Sequence, residues 1–249
     1  MTKLYVVGIG PGDKDSMTIA SVRALTEADL ICGYSTYIAI IKEMFADDEF
    51  FVGKEYYETP MTTELDRCRH ALAAADSGRT VAMVCSGDAG VYGMASPVLE
   101  EAKEFPDVEI EIVPGVTAAL SGGALLGAPL GHDFAIISLS DRLTPWEIIE
   151  KRLKAAAAGD FCIALYNPRS HGRPDALEKA VEILKGAGVS VDTPVGIANA
   201  VGREEPTIIL SCLDGIPYEE CGMVSTVFIG NSQTYLDGVQ MITPRGYKE

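Results

Sequence analysis

The sequence has few basic residues and no long uninterrupted apolar segment. It contains 20 lysines and arginines against 36 aspartates and glutamates, a formal net charge of −16 over 249 residues. A surface this acidic repels nucleic acid and anionic lipid, which excludes both as principal partners. The longest apolar-rich stretch, residues 117–131, is interrupted by glycine and proline and is too short to span a bilayer. We therefore expect neither a nucleic-acid nor a membrane partner.

Several motifs of metal binding and covalent catalysis are also absent. The three histidines, His70, His132 and His171, lack the spacing of metal ligands, so no metal site is predicted. There is no Gly-x-Ser-x-Gly nucleophile motif and no Walker loop. The six cysteines form no Cys-x-x-Cys pair, which is typical of reduced thiols. Since no signal peptide precedes the first apolar run, we expect a cytoplasmic protein.

Short apolar runs alternate with helical patterns, and hydrophobic residues make up 47% of the chain. Strands are predicted at residues 4–7, 30–32, 80–85, 109–113, 134–138, 161–166, 194–198, 207–211 and 226–229. Helices are predicted at residues 17–27, 62–77, 95–104, 145–158 and 175–186. This alternation is typical of an α/β protein with largely parallel sheets. Closely spaced runs near residues 207 and 226 indicate that the second sheet is mixed.

Two αβα domains with a cleft between them are the predicted architecture. We place them at residues 1–122 and 123–249, with a mainly parallel N-terminal sheet and a mixed C-terminal sheet. Residues 122–133 are rich in glycine, alanine and proline, and we expect them to connect the two domains.

A glycine-rich loop, Gly-Ile-Gly-Pro-Gly-Asp, follows the first strand at residues 8–13. Glycines let the backbone turn sharply and approach a ligand closely. The dinucleotide-binding fingerprint requires a further glycine where this chain has Asp13, and Pro11 removes an N–H that would face a pyrophosphate. The loop therefore disfavours nicotinamide binding, and a purely structural turn remains an alternative.

Two further motifs follow predicted strands. Residues 86–95 read Ser-Gly-Asp-Ala-Gly-Val-Tyr-Gly-Met-Ala, and residues 114–118 read Pro-Gly-Val-Thr-Ala. The carboxyl ends of parallel strands are where α/β sheets bind ligands. Asp88 and Thr117 could instead cap the helices that follow them, and for Thr117 both roles are compatible.

The second half contains a locally basic stretch. Between Arg142 and Arg173 there are six basic residues and three acidic ones. Arg142, Arg169 and Arg173 follow predicted strands, where loops face a cleft. Guanidinium groups pair with carboxylates in a bidentate fork, so these three fit a ligand with several carboxylates. Scattered, solvated charges are the alternative.

On these residues the sequence resembles the tetrapyrrole methylase family. The loops at residues 8–13, 86–95 and 114–118 are similar to the family as a whole. Residues 138–146, 166–173 and the tail at residues 241–247 also carry the resemblance. Of these, residues 138–146 and the Tyr-Asn-Pro-Arg-Ser segment at residues 166–170 resemble the branch that methylates carbon 17 of a corrin precursor. One departure is Ala89, where many relatives have proline. The resemblance implies two αβα domains, S-adenosylmethionine bound at their junction, a small-molecule tetrapyrrole substrate and a homodimer.

The resemblance also implies site residues and a reaction. The implied cofactor contacts are Pro11, Ser86, Gly87, Asp88, Val91, Thr117, Ala118, Asn167 and Ala200. The implied reaction is methylation of precorrin-3B or cobalt-factor III with ring contraction, giving precorrin-4 or cobalt-precorrin-4 in cobalamin biosynthesis. Ring contraction requires proton transfers, for which the candidates are His132, Asp141, Tyr92 and Asp13. Arg142, Arg169 and Arg173 are expected to bind the substrate's carboxylates. Methylation of another ring carbon, a non-catalytic tetrapyrrole carrier and a nicotinamide oxidoreductase are the alternatives.

Overall fold

A computed structural model describes residues 3–203 and 205–247. The chain divides into two compact units between Thr117 and Ala118, here called the N-terminal unit and the C-terminal unit. The boundary expected after residue 122 would fall inside a helix that begins at Ala118.

The N-terminal unit is built around a five-stranded parallel sheet with the order β3-β2-β4-β1-β5. Its strands are β1 (Lys3–Gly8), β2 (Leu30–Tyr34), β3 (Glu55–Thr59), β4 (Thr80–Cys85) and β5 (Glu109–Val113). Its helices are α1 (Ile19–Glu27), α2 (Ser35–Met44), α3 (Glu64–Asp76) and α4 (Ala95–Glu101), with 3₁₀ turns at Glu49–Phe51 and Ala102–Glu104. The predicted parallel sheet is confirmed.

Helices cover both faces of this sheet because its strands alternate two apolar sets. Tyr5 and Val7 of β1 pack with residues of α1 and α2. Leu4 and Val6 point the other way and pack with residues of α3 and α4. Successive side chains of a strand lie on opposite faces, so a run that is apolar throughout indicates a strand buried on both sides.

The topology places a switch point at the carboxyl ends of two neighbouring strands. β1 continues into α1 on one face of the sheet, whereas β4 continues into α4 on the opposite face. Loops that leave adjacent strands toward opposite faces leave space between them, and such switch points are where open α/β sheets bind ligands. The switch point therefore lies at residues 9–18, here called the first loop, and residues 86–94, here called the second loop.

The C-terminal unit has a mixed sheet with the order β10-β9-β11-β8-β7, in which only β7 and β8 pair in parallel. Its strands are β7 (Phe134–Ser138), β8 (Cys162–Tyr166), β9 (Pro194–Asn199), β10 (Thr207–Cys212) and β11 (Ser225–Ile229). The predicted mixed sheet is confirmed. 3₁₀ turns lie at Leu213–Gly215 and Tyr218–Glu220.

The two faces of the C-terminal sheet are covered differently. Helices α6 (Trp146–Ala158) and α7 (Ala176–Gly186) pack on one face. Helix α5 (Ala118–Leu126) packs on the other, together with a small sheet of the order β12-β13-β6. The strands of that sheet are β6 (Gly127–Ala128), β12 (Tyr235–Asp237) and β13 (Gln240–Ile242). The second layer of this unit thus combines one helix with a small sheet.

Helix α5 and β6 occupy much of the segment that we expected to be a connection. A Cβ added at Gly122 would lie 3.2 Å from the ring of Phe228 and 3.1 Å from the Cβ of Ala198. The glycine therefore lets the helix pack closely on the sheet. The small residues of this segment indicate tight packing rather than a linker. No helix described in residues 3–203 and 205–247 has the length and apolar character needed to cross a membrane.

Candidate functional site

The first loop, after β1, and the second loop, after β4, are joined through backbone hydrogen bonds. The Gly10 N–H donates to the Gly87 carbonyl at 3.0 Å, and the Gly87 N–H donates back to the Gly10 carbonyl at 2.7 Å. The Ile9 N–H donates to the Cys85 carbonyl at 2.9 Å. The Ile9 bond lies at the end of the parallel β1–β4 pair, and Gly10 and Gly87 form a separate antiparallel bridge. Together these bonds fix the two loops relative to each other.

Glycine is required where three strand ends meet. A Cβ added at Gly8 would lie 2.7 Å from both the carbonyl oxygen of Gly87 and the backbone nitrogen of Gly115. A Cβ added at Gly115 would lie 2.2 Å from that same oxygen. Since no side chain fits at these distances, the three backbones can meet only as glycines. The loops after β1, β4 and β5 therefore form one connected structure.

The Asp88 carboxylate binds backbone N–H groups within the second loop and one in the third loop, residues 114–117, which follows β5. Its Oδ1 accepts the N–H groups of Gly90 at 2.8 Å and Val91 at 3.1 Å. Its Oδ2 accepts the Gly115 N–H at 2.9 Å. A helix cap also uses a side-chain oxygen to accept backbone N–H groups, so the capping role proposed as an alternative for Asp88 is close to what the structure shows. Here the carboxylate accepts three backbone donors and links two loops.

Two hydroxyls that the sequence reasoning missed fasten the first loop to the third. The Thr18 Oγ1 accepts the Ser21 N–H at 3.0 Å as the cap of α1 and donates to the Pro114 carbonyl at 3.2 Å. The buried Ser21 Oγ donates to the Gly8 carbonyl at 2.8 Å. A Thr-x-x-Ser pattern at a helix start was the available signal.

The structure brings the predicted cofactor residues of the N-terminal unit together. Pro11 lies on the first loop, and Ser86, Gly87, Asp88 and Val91 lie on the second. All five are half-buried. Thr117, which is buried, ends the third loop. Ala118, Asn167 and Ala200 belong to the C-terminal unit.

Three predicted site residues have left-handed backbones although they are not glycine. The φ angles are +55° at Tyr92, +52° at Asn167 and +50° at Ala200. Such conformations cost free energy in residues with a side chain, and they concentrate at binding and catalytic sites. Asn167 and Ala200 directly follow β8 and β9, and Tyr92 lies on the second loop, which follows β4. The strain marks these three loops as functional candidates.

Within the C-terminal unit, Ala118 and Asn167 lie near each other. The Tyr166 hydroxyl at the end of β8 accepts the Ala119 N–H at 2.6 Å, which places the start of α5 beside that strand end. The Asn167 Nδ2 donates to the Ser138 Oγ at 3.0 Å. The carboxyl ends of β7 and β8 therefore form a polar corner.

The three arginines expected at the substrate differ in their surroundings. Arg169 Nη1 donates to the Tyr218 carbonyl at 2.7 Å and to Glu219 at 3.0 Å. Arg173 Nη1 donates to the Leu139 carbonyl at 2.9 Å, and its Nε lies 3.7 Å from Asp141. Arg142 is exposed, and no hydrogen bond or ion pair of its guanidinium occurs among the described residues.

The acid–base candidates are not gathered at one place. His132 precedes β7 and Asp141 follows it, so the five-residue strand separates them by roughly 15 Å. His132 is exposed, with its Nδ1 4.0 Å from Asp133. In the N-terminal unit, Asp13 Oδ1 accepts the Ser16 N–H at 2.7 Å. Tyr92 lies on the second loop.

The thiol of Cys85, beside the second loop, is buried and is not a nucleophile. Burial raises the pKa of the Cys85 thiol to about 12, and its Sγ accepts the Met94 N–H at 3.2 Å. A thiol with so high a pKa is unreactive at neutral pH. Across the described part of the chain, no group of three or more His, Cys, Asp or Glu side chains could hold a metal ion.

The chemistry of the three joined loops fits S-adenosylmethionine. Residues 86–94 and 114–118 contain no lysine or arginine, and the single lysine of residues 9–18, Lys14, lies 3.5 Å from Asp48. The loops also contain the carboxylates of Asp13, Asp15 and Asp88. Backbone groups at the strand ends can bind the polar ends of the ligand, and the acidic surroundings favour a sulfonium cation.

Comparison with known proteins finds relatives along most of the chain. The sequence profile of the tetrapyrrole (corrin/porphyrin) methylases matches residues 3–216. The chain is 45% identical to a probable cobalt-factor III C(17)-methyltransferase of Salmonella typhimurium, over 98% of this chain and 99% of that protein. Other relatives at 40–43% identity are longer proteins, of which this chain covers 45–67%.

Solved structures share the fold. The crystal structure of the methyltransferase CobJ matches with a TM-score of 0.88 and 41% identity, covering 97% of this chain and 99% of that one. A uroporphyrin-III C-methyl transferase from Thermus thermophilus, complexed with S-adenyl homocysteine, matches with a TM-score of 0.69 and 21% identity, covering 92% and 97%. With a matching profile along most of its length and a full-length relative at 45% identity, the chain belongs to the tetrapyrrole methylase family.

Proposed function

We propose that this protein transfers a methyl group from S-adenosylmethionine to carbon 17 of cobalt-factor III, with ring contraction to cobalt-precorrin-4, in cobalamin biosynthesis. The observation that supports this most strongly is the 45% identity to a cobalt-factor III C(17)-methyltransferase over nearly the full length of both chains. The relatives' names favour the cobalt-containing substrate over precorrin-3B. The substrate, and not a resident metal site, brings the cobalt.

The cofactor is held by the joined loops of the N-terminal unit in this proposal. Pro11, Ser86, Gly87, Val91 and Thr117 supply backbone contacts, and S-adenosylmethionine supplies the methyl group from its sulfonium when bound. Asp88 acts mainly through the loops, because three backbone donors already occupy its carboxylate. Contacts from Ala118, Asn167 and Ala200 stay predictions, supported by the strained backbone of the last two.

The contribution of the protein to methyl transfer is positioning. An electron-rich ring carbon attacks a methyl group in line, so no covalent intermediate with the protein is needed. Holding two reactants in an attack geometry can supply roughly 7–11 kcal/mol of the barrier. The close glycine contacts and the Asp88 hydrogen bonds fix the loops in the protein without ligand. The conformational entropy of ordering these loops is therefore not lost during binding or reaction.

Arginines of the C-terminal unit bind the substrate's acetate and propionate groups in this proposal. Arg142 is exposed and available. Arg169 pairs with Glu219, whose side chain is 86% exposed, and exposed ion pairs contribute little free energy. A substrate carboxylate can therefore replace Glu219. Arg173 is more deeply set and is better suited to shaping the loop through its bond to Leu139.

For the proton transfers of ring contraction we favour Asp141 over His132. Asp141 lies at the same end of β7 as Ser138, Asn167 and Arg173, whereas His132 lies at the other end. A general acid or base must come within hydrogen-bond reach of the proton it moves. The test is the variant D141N: we expect methyl transfer to persist while the contracted product is lost, and an unchanged product would remove Asp141 from this role.

The first experiment is a calorimetric titration with S-adenosylmethionine and S-adenosylhomocysteine, with NADH as control. We expect both sulfur ligands to bind and NADH not to bind. Arg169→Ala should raise the KM for the tetrapyrrole and leave the affinity for S-adenosylhomocysteine unchanged. Binding of the tetrapyrrole with no cofactor binding would instead support the carrier alternative. Product methylated at another carbon would support the same-class alternative.

A homodimer in the cytoplasm completes the proposal. Large apolar side chains, Tyr235, Leu236 and Val239, are exposed on the β12–β13 hairpin, as at association surfaces. All six cysteines are free, which is typical of a reducing compartment. Light scattering during size-exclusion chromatography should give twice the chain mass, and a mass of one chain would contradict the dimer.

A further inference from the structure

Arg67 on α3 is a buried arginine without a carboxylate partner among the described residues. Its side chain is 3% exposed. Its Nε donates to the Thr59 Oγ1 at 2.8 Å, its Nη2 to the Pro60 carbonyl at 3.2 Å, and its Nη1 lies 4.0 Å from the Met94 Sδ. The guanidinium therefore joins the end of β3 to the end of the second loop.

This placement is unfavourable for a cation. Burying a charge without an opposite charge costs free energy. Arg67 is also the fourth residue of α3, near the positive end of the helix dipole. An apolar residue of similar volume would avoid both costs. Such an apolar residue could not contact the Thr59 hydroxyl, the Pro60 carbonyl and the Met94 sulfur together, as the rigid, planar guanidinium does.

The contacts of Met94 explain what the arginine achieves. Met94 ends the second loop, and its N–H donates to the Cys85 Sγ at 3.2 Å, at the point where that loop leaves β4. Asp88 and the Gly10–Gly87 pair fix the beginning of the same loop. Arg67 and Cys85 thus act at its far end, and the intervening residues, which include Val91 and Tyr92, are held from both ends.

Thr59 extends the connection to a third strand end. The Thr59 carbonyl accepts a hydrogen bond from the Ser35 hydroxyl at 3.2 Å. Ser35 begins α2 directly after β2. Arg67 is therefore linked to the carboxyl ends of β2, β3 and β4. Asp88 instead links the second loop to Gly115 after β5, which lies on the other side of β4 in the strand order. No other basic side chain of the N-terminal unit is classed as buried among its described residues.

We propose that Arg67 is a positioning residue for cofactor binding, which sets the conformation of residues 86–94 through Met94. This inference rests on the proposed placement of S-adenosylmethionine at that loop. It assigns no contact between Arg67 and the ligand. Arg67→Met fills a similar volume and removes the guanidinium. Arg67→Lys keeps a charge that can reach one acceptor. Arg69→Met, two residues away, is the matched control: it loses an exposed ion pair with Glu101 and touches neither loop.

Two measurements on the full chain test the proposal. Calorimetry with S-adenosylhomocysteine should give a Kd roughly tenfold higher for R67M than for the wild type, an intermediate value for R67K and a wild-type value for R69M. Without ligand, amide hydrogen exchange across residues 86–94 should be faster in R67M and R67K than in R69M. The Tm of R67M should stay within about 4 °C of the wild type, because replacing a buried charge by an apolar side chain is often neutral. Affinity would then fall without a matching loss of stability, which a purely structural role would not produce.

The outcomes separate this inference from the proposed function. Wild-type affinity and wild-type exchange in both R67M and R67K would overturn the role of Arg67 while leaving the cofactor site intact. A Kd increase in R69M as large as that in R67M would also overturn it. If the wild type failed to bind S-adenosylhomocysteine, the proposed cofactor site would fail, and the exchange rates alone would decide whether Arg67 sets the loop. If R67M did not fold, R67K would supply both measurements.

Discussion

Replacing Asp88 by asparagine tests whether one carboxylate joins the second and third loops. The carboxylate accepts three N–H groups, two at Oδ1 and one at Oδ2. An asparagine of the same shape has one oxygen and one NH₂ group. In either orientation, at least one backbone N–H of Gly90, Val91 or Gly115 then faces another N–H. The substitution therefore removes a charge-assisted hydrogen bond without creating a cavity.

The expected magnitude follows from that one bond. A hydrogen bond to a charged acceptor contributes about 1.5–3 kcal/mol, and since Asp88 is only half-buried we take about 2 kcal/mol. For a chain of this size, about 2 kcal/mol corresponds to a fall in Tm of roughly 4–8 °C. If the loops must be re-formed on binding, the Kd for S-adenosylhomocysteine should rise by up to about 30-fold.

Thermal melting followed by circular dichroism and calorimetric titration are the assays. The control is Asp29→Asn, because Asp29 accepts a single N–H, from Thr80 at 2.9 Å, and an asparagine oxygen can keep that bond. D29N should melt and bind like the wild type. If D88N melted within about 1 °C of the wild type and kept its affinity, the reasoning that Asp88 joins the loops would be refuted.

Three further predictions concern the N-terminal unit and the thiols. Desolvation by burial, and then the charge of Arg79, lowers the pKa of His70 in the folded chain. Because the unfolded chain takes up the proton first, the free energy of unfolding should fall as the pH drops below about 6.5. His70→Gln should flatten this pH dependence in urea melts, and an unchanged dependence would contradict it. Lys54→Met removes two 2.7 Å bonds, one to the carbonyl of Thr26 in the last turn of α1 and one to the carbonyl of Ala28, which follows the helix. It should lower the Tm by roughly 2–6 °C, whereas no change would show that this cap is dispensable. A thiol reagent at pH 8 should label the half-buried Cys212 rapidly and the other five cysteines, which are buried, slowly. Burial also raises the pKa to about 12 for Cys32 and Cys85 and to about 11 for Cys68 and Cys221. Several rapidly labelled thiols would contradict the buried positions.

The strands buried on both faces were predictable because their sequences are short apolar runs. β3, with the sequence Glu-Tyr-Tyr-Glu-Thr, was missed because it is an edge strand with two glutamates. Helix α2 was missed although it has an apolar face with Ile38 and Ile41 buried. Helix α5 was interpreted as a connection because its glycines indicate packing only once the ring of Phe228 is placed against them.

The site was predictable where it depends on local sequence. Loops at the ends of β1, β4 and β5 follow from the strand pattern, and their glycines follow from the need for close approach. The burial of Arg67 did not follow, because a charge in an amphipathic helix predicts a solvated position and only the tertiary structure buries it. The bonds of Arg169 and Arg173 to carbonyls far along the chain were likewise invisible to local patterns.

The measurement that tests the central claim most directly is isotope transfer. The purified protein is incubated with cobalt-factor III and S-adenosylmethionine whose methyl group carries deuterium, with metal-free precorrin-3B in a parallel reaction, and the tetrapyrrole is analysed by mass spectrometry and NMR. We expect the labelled methyl group at carbon 17 of a ring-contracted product, with one S-adenosylhomocysteine formed per product. A tetrapyrrole recovered without label, from a protein that binds it and the cofactor, would contradict the assignment as a methyltransferase acting on this substrate.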